Sequence, residues 1–198
     1  MLEAMTALGE REALALLQNG QDDALRSGFR WIYEQYFDEV HRFQERLLGD
    51  PNAADDATQE TFVRLHRAVK SFDAGRPLRP YVLAIARNVA IDVLRARAKT
   101  AKLRDEHADP VSGGVVEEAS RRERRDAVEA ALAALAPEHR SILLLRHVSE
   151  LKLEEIADGS SCTVRTVRNR LRAAGTLLGR ELRRRGIVGD TGSTEVRS

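Results

Sequence analysis

The chain of 198 residues has one cysteine, Cys162, one tryptophan and two methionines. A single thiol excludes an intramolecular disulfide and suits a reducing, cytoplasmic setting. Aromatic residues make up only 5% of the chain, and strand-like alternation is hard to find anywhere along it. The expectation is an all-α fold. No run of about 18 apolar residues exists, so no membrane-spanning helix is expected. The N-terminus lacks a basic flank, and Glu10-Arg-Glu12 interrupts its apolar run, which argues against a signal peptide. His41, His66, His107, His139 and His147 are scattered, with no metal-ligand spacing to each other or to Cys162. No glycine-rich phosphate loop or nucleophile elbow is present. No cofactor, metal, small-molecule substrate or catalytic activity is therefore expected. Net charge is only +1, which excludes a globally basic coat for nucleic acid.

The charge is instead sorted along the chain. Arg76 to Arg104 carries eight Lys/Arg against Asp92, and Thr163 to Arg185 carries eight Arg against Glu181. Asp50 to Phe62 carries four acids, and Asp105 to Glu118 five, both without Lys or Arg. Two basic helices separated by an acidic tract suggest two DNA contacts joined by a connection that repels DNA.

The central stretch is Arg79–Lys99. Pro80 suits the first turn of a helix, and the rest of the run holds good helix formers without Gly or Pro. Val82, Ile85, Val89 and Val93 mark a buried face by their spacing. Asn88, Asp92, Arg95 and Lys99 form a polar stripe on the other side. Such a helix can follow a phosphate backbone and still read bases. The plainer reading is a solvated face with an Asp92–Arg95 ion pair.

Before it, the pattern predicts a short helix over Glu10–Gln18 and a long one over Asp23–Leu48. The long helix carries Phe29, Ile32, Tyr33, Tyr36, Val40, Phe43 and Leu47 on one stripe and is stopped by Gly49. A third helix is expected to be capped by Asn52, with Asp55 in a capping-box-like role. It exposes Asp55, Asp56, Gln59 and Glu60, an acidic and amide patch suited to a basic protein surface; acids near a helix N-terminus also complement the dipole. Ser71–Pro77 reads as a loop.

After the acidic tract, helical spacing resumes at Val128, Ala131, Leu132 and Leu135, and Pro137 starts another helix. Leu153–Ala157 is a short helix, Asp158-Gly-Ser-Ser161 a turn, and Thr163 a cap for the last helix. There Val164, Val167, Leu171, Ala174 and Leu178 face inward, and Arg165, Arg168, Asn169 and Arg172 outward. This is a helix-turn-helix pattern, and Arg and Asn are the side chains that read guanine and adenine in the major groove. Cys162 sits in the turn and reads as a small, partly buried residue, with a redox sensor as the second reading. The expected division is 10–100, a flexible linker 101–121, a second domain 122–186, and a disordered tail 187–198.

In fixed order, Asp55-Asp-Ala-Thr-Gln-Glu-Thr-Phe62, Ile85-Ala-Arg-Asn-Val-Ala-Ile-Asp-Val-Leu-Arg95, Leu132-Ala-Ala-Leu-Ala-Pro-Glu-His-Arg140, Glu154-Glu-Ile-Ala157 and Thr166-Val167 resemble the extracytoplasmic-function group of bacterial RNA polymerase sigma factors. The likeness spans roughly residues 12–185. It implies two helical domains that bind the RNA polymerase core and recognise the −10 and −35 elements of promoter DNA, and it admits an anti-sigma factor as a further partner. By position, Asp55, Asp56, Gln59, Glu60 and Phe62 would dock on the clamp helices of the polymerase's largest subunit. The Ser71–Pro77 loop and the helix bearing Arg79, Asn88, Asp92, Arg95 and Lys99 would open the −10 element and hold a flipped base. Arg165, Thr166, Arg168, Asn169 and Arg172 would enter the −35 major groove. The linker would thread toward the polymerase active centre and RNA exit path.

Some positions depart from that pattern. Tyr81, after Pro80, stands near where the family has Trp. Gly159 and Ser160 stand where it has apolar residues, Arg165 where it has Gly, and Ala173 where it often has Arg. An unusual −35 preference and a loosely packed turn are the expectations. Two other classes compete: a free-standing helix-turn-helix regulator, which needs no acidic patch, and a nuclease using Asp55, Asp56 and Glu60 for a metal, on which no further ligand converges.

Overall fold

The computed structural model describes residues 9–20, 22–104 and 119–187. Among these there are eight α-helices, one 3-10 turn and no strand. They are α1 (Glu10–Asn19), α2 (Asp22–Leu48), α3 (Pro51–Ala68), the 3-10 turn (Val69–Ser71), α4 (Leu78–Arg104), α5 (Ala119–Ala133), α6 (Pro137–His147), α7 (Leu153–Gly159) and α8 (Val164–Arg184). The helical stretches expected on either side of the linker run further than the spacing implied: α4 continues to Arg104 and α5 begins at Ala119, so both ends of 101–121 are helical. Residues 105–118 and 188–198, with most of the expected linker and tail, lie outside the described residues.

The first domain is a bundle of α1–α4. The aromatic and aliphatic stripe of α2 supplies its centre: Ile32, Val40, Phe43 and Leu47 are at most 2% exposed. Gly49 ends α2 with φ +67°, the left-handed conformation that suits a helix C-terminus and favours glycine. The cap of α3 is Asp50 rather than Asn52. Its carboxylate accepts from Ala53 N–H at 3.3 Å, and Pro51 occupies the first turn. The same carboxylate accepts from Arg97 of α4 at 2.6 Å. The Ala53 amide first, then Arg97, hold Asp50 below its ordinary pKa.

One buried polar joint ties three helices. The Gln44 amide on α2 donates to Thr61 Oγ1 on α3 and to the Ala86 carbonyl on α4, both at 3.0 Å. A second joint fixes the entry to α4. Tyr36 donates its hydroxyl to Glu10, and the other oxygen of that carboxylate accepts from Leu78 N–H at 3.3 Å. Glu10 thus serves one of the unpaired amides at the N-terminus of α4.

The second domain packs α5, α6 and α7 around α8. Leu144, Leu145, Ile156, Val167 and Ala174 form its centre. α7 runs through Asp158 and Gly159, which the sequence pattern places in the turn; Thr163 caps α8 as expected, accepting from Thr166 N–H at 3.2 Å.

The two domains touch. α4 contacts α6 and α7, and α2 contacts α6. This explains why the buried surface of α4 is broader than one stripe. Besides Val82 and Val89, the residues Leu83, Ala84, Ala86, Ala90 and Ile91 are all buried, because α4 is covered by its own bundle on one side and by the second domain on another.

Candidate nucleic-acid and polymerase interfaces

The acidic patch on α3 is present as a surface. Asp55, Asp56 and Gln59 are exposed and Glu60 is half-buried. Asp55 meets His41 Nε2 at 2.8 Å, and Glu60 accepts from Arg64 Nε at 2.8 Å. Phe62 departs from its expected place. It is 2% exposed, its ring packed on Tyr33 at 4.7 Å and on Phe37 and Phe29 at 6.4 and 6.5 Å. It cannot touch a partner without leaving the core, because its position on α3 points back at α2. The apolar groups that do reach the surface here are Tyr33, at 37% exposure, and Val63, at 42%. Tyr33 belongs to the apolar stripe expected on α2 yet reaches the surface, and Val63 is a residue that the sequence did not single out.

On α4 the stripe Asn88, Asp92, Arg95 and Lys99 is exposed throughout. The Asp92–Arg95 ion pair of the plainer reading does not form. Asp92 accepts from Arg64 of α3 at 2.9 Å, and Arg95 donates to Glu138 of α6 at 3.0 Å. The cause is reach, since each side chain finds an oppositely charged group on a neighbouring helix. Arg79 is held as a fork: it donates to both oxygens of Glu39 at 2.9 and 2.5 Å, and to the Ser149 carbonyl of the second domain at 2.6 Å. The bond to Glu39 raises the Arg79 pKa further.

Arg87, which the stripe omits, also crosses between the domains, donating to Ser141 Oγ at 3.1 Å and to the Asn88 side-chain oxygen at 3.3 Å. Burial pushes its pKa down. Nothing in local periodicity marks it, since it lies beside the stripe rather than on it.

On α8 the side chains of Arg165, Arg168, Asn169 and Arg172 are exposed and make no hydrogen bond or ion pair among the described residues. Thr166 differs. It is half-buried and its hydroxyl meets that of Thr163 at 2.9 Å, so it completes the cap. A helix that presents three arginines and an asparagine at its N-terminal end, behind a short helix and a tight turn, has the form that enters a major groove.

Residues 32–100 match the family model for Sigma-70 region 2, and residues 125–174 that for Sigma-70, region 4. The ECF RNA polymerase sigma factor SigC of Mycobacterium tuberculosis is 35% identical over 130 residues, which are 64% of this chain and 69% of that protein. The chain belongs to the extracytoplasmic-function group of RNA polymerase sigma factors. The ECF RNA polymerase sigma factor SigW of Bacillus subtilis is 26% identical over 184 residues, covering 87% of this chain and 96% of SigW. In fold, the sigma factor is similar to CnrH in complex with the cytosolic domain of CnrY, with a TM-score of 0.63, 20% identity, and coverage of 88% of this chain and 97% of that one. It is also similar to the sigma factor RpoE in complex with the anti-sigma factor NepR from Bartonella quintana, with a TM-score of 0.60, 20% identity, and coverage of 78% and 96%.

As a sigma factor the protein directs promoter-specific transcription, with the polymerase core and promoter DNA as its partners; the free-standing regulator is not favoured. No helix among the described residues is long and apolar enough to cross a membrane. Three of the departures noted in the sequence meet at one place in this sigma factor. Pro80 and Tyr81 begin α4, and Gly159 ends α7 directly above them: a Cβ built on Gly159 would lie 2.8 Å from Ala84 Cβ and 3.3 Å from the Pro80 carbonyl oxygen. The turn is therefore closely packed at Gly159, contrary to the expectation of looseness, because the first domain supplies the neighbour that an apolar side chain would otherwise be.

Proposed function

We propose that this sigma factor divides its work among three faces. Asp55, Asp56, Gln59 and Glu60, with Tyr33 and Val63 beside them, dock on a basic surface of the polymerase core. The α4 face carries −10 recognition: Lys99 and Arg95 take phosphates, Arg79 and Asp92 border the site, and Asn88, which offers both donor and acceptor, reads a base edge. Arg165, Arg168, Asn169 and Arg172 read the −35 element, with Thr166 shaping the start of α8. Residues up to 104 and residues 119–186 act as the two units, the connection between them threading toward the polymerase active centre. The protein acts in the cytoplasm, has no catalytic chemistry of its own, and accepts an anti-sigma factor, as its structural relative RpoE does.

The observation that supports this reading is the presence on one chain of an exposed acidic face on α3 and two separated basic faces on α4 and α8. A regulator that only binds duplex DNA needs the last of these alone. The test is transcription in vitro with core polymerase on a pool of genomic promoters, together with co-purification. Wild type yields promoter-specific run-off products, while Asp56→Arg with Glu60→Arg folds normally and no longer co-purifies with core. Undiminished co-purification of the double variant would overturn the docking face.

A further inference from the structure

Helix α8 runs to Arg184, well past residue 174, where the match to Sigma-70, region 4 ends. Arg168, Arg172, Gly175, Gly179 and Arg183 fall at i, i+4, i+7, i+11 and i+15, so they share one side of the helix, with Thr176 and Arg180 beside them. Arg180 and Arg183 are exposed, and their side chains make no hydrogen bond or ion pair among the described residues. Their neighbours Arg184 and Arg185 are taken by Glu181, at 2.7 and 2.9 Å. Two unneutralised cations thus stand at the far end of the face that presents Arg165, Arg168, Asn169 and Arg172.

We propose that the C-terminal half of α8 is a second DNA contact, in which Arg180 and Arg183 hold phosphates of the strand that the helix meets as it leaves the major groove. This rests on the −35 reading given above to the N-terminal half.

Three observations carry it. The first is the length of the helix. At the rise of an α-helix, Arg165 and Arg183 lie about 27 Å apart along the axis, whereas the major groove is about 12 Å wide. A helix with its N-terminal turns among the bases therefore carries its far end past a phosphate strand, and the C-terminal end of a recognition helix can contact that backbone. The second is the charge, since guanidiniums without a protein partner bind phosphates and release counterions. The third is the low surface between the two groups of arginines. Thr176 turns its hydroxyl back onto the Arg172 carbonyl at 3.0 Å. A Cβ built on Gly175 would meet nothing within 4 Å, and one on Gly179 only the tip of Arg183 at 3.7 Å. Packing within the described residues explains neither glycine, and glycine weakens a helix interior relative to alanine. A saddle without side chains lets a strand approach the helix backbone. A second copy of α8 would also fit the saddle, but it would set arginine against arginine, so the charge selects a polyanion.

The experiment uses the full chain bound to core polymerase and duplex promoter fragments recovered from the genomic pool. Affinity is measured over a series of salt concentrations. Arg180→Ala with Arg183→Ala is expected to weaken every promoter alike and to lower the slope of log affinity against log salt by about two, one phosphate for each arginine. Ethylation interference is expected to lose the phosphates beside the −35 bases and to keep the others. Gly175→Leu, which has open space for its side chain, is expected to melt at a higher temperature and yet bind the same fragments more weakly, with a slope lower by about one. An unchanged slope in the double arginine variant overturns the second contact, whether or not Gly175→Leu folds, and so does a folded Gly175→Leu that binds as wild type does. Loss of co-purification with core by the double variant would make the arginines a protein contact, and self-association of wild type that Gly175→Leu abolishes in sedimentation would make the saddle a helix-pairing site; either result overturns the proposal. Arg168→Ala is measured on the same fragments. Its sequence-dependent loss, without loss in the C-terminal variants, counts against the second contact alone. No effect of Arg168→Ala, with no −35 protection by wild type, counts against the −35 reading itself.

Discussion

Asp92 on the exposed polar stripe of α4 is bonded to Arg64 of α3, whose guanidinium donates to it at 2.9 Å and to Glu60 at 2.8 Å. One arginine thereby links the proposed polymerase patch to the proposed −10 face, and the two hydrogen bonds raise its pKa, Glu60's first. Both pairs are substantially exposed, so each contributes roughly 0–1 kcal/mol to stability. The consequence lies in charge. Asp92→Asn removes a negative charge from a cationic face and leaves the fold intact, so promoter affinity should hold or rise. Titration of promoter fragments at two salt concentrations checks this. A clear fall in affinity would instead make Asp92 an acceptor for a base amine.

Phe62 separates stability from docking. Buried among Tyr33, Phe29 and Phe37, it should cost about 3–5 kcal/mol when cut to alanine, seen as a lower denaturation midpoint. Phe62→Leu should keep the fold and bind core polymerase as wild type does. A well-folded Phe62→Leu that fails to bind core would restore Phe62 to the interface.

Arg168 is exposed and has no partner among the described residues, so it is available to DNA. In the proposed −35 role, Arg168→Ala should weaken binding by about 1–3 kcal/mol, and only on promoters with the preferred base at its position. Binding measured across a set of single-base variants distinguishes the roles, since an equal loss on every sequence means phosphate contact alone.

Tyr36 should give the protein an alkaline weakness. Burial first, then its hydrogen bond to Glu10, push its pKa well above the ordinary tyrosine value. The folded state thus keeps the phenol protonated where the unfolded chain would release the proton. The stabilisation is whole below about pH 10 and is lost as pH climbs beyond it toward the folded pKa. Tyr36→Phe should lose about 1 kcal/mol at neutral pH with its hydrogen bond, but show a flatter decline above pH 10. Thermal melts across that range, with ultraviolet titration of tyrosinate, measure both. An equally steep decline in the variant would refute the assignment.

Most helices were legible because the information for them is local. The apolar spacing of α2, the glycine after it, Pro137 and the Thr163 cap each act within a few residues. The outward faces of α3, α4 and α8 were legible for the same reason: a residue's side of a helix follows from its number. The α3 cap was misplaced because Asn52 and Asp50 are both good caps, and Pro51 decides between them by occupying the first helical turn.

The sequence by itself thus determined an all-α chain, its helix-turn-helix, and the separation of acid from base along its length. Only the tertiary structure decided which charges meet. Asp92 pairs with Arg64 rather than Arg95, Arg95 with Glu138, and Arg79 with Glu39 and Ser149. It also decided that Phe62 faces inward, and that α4 is buried on a second side by α6 and α7 with Gly159 against Ala84. These contacts join residues far apart in the chain. Periodicity assigns a residue to a face of its own helix, but not to the neighbour that face will find, because that depends on how the helices pack.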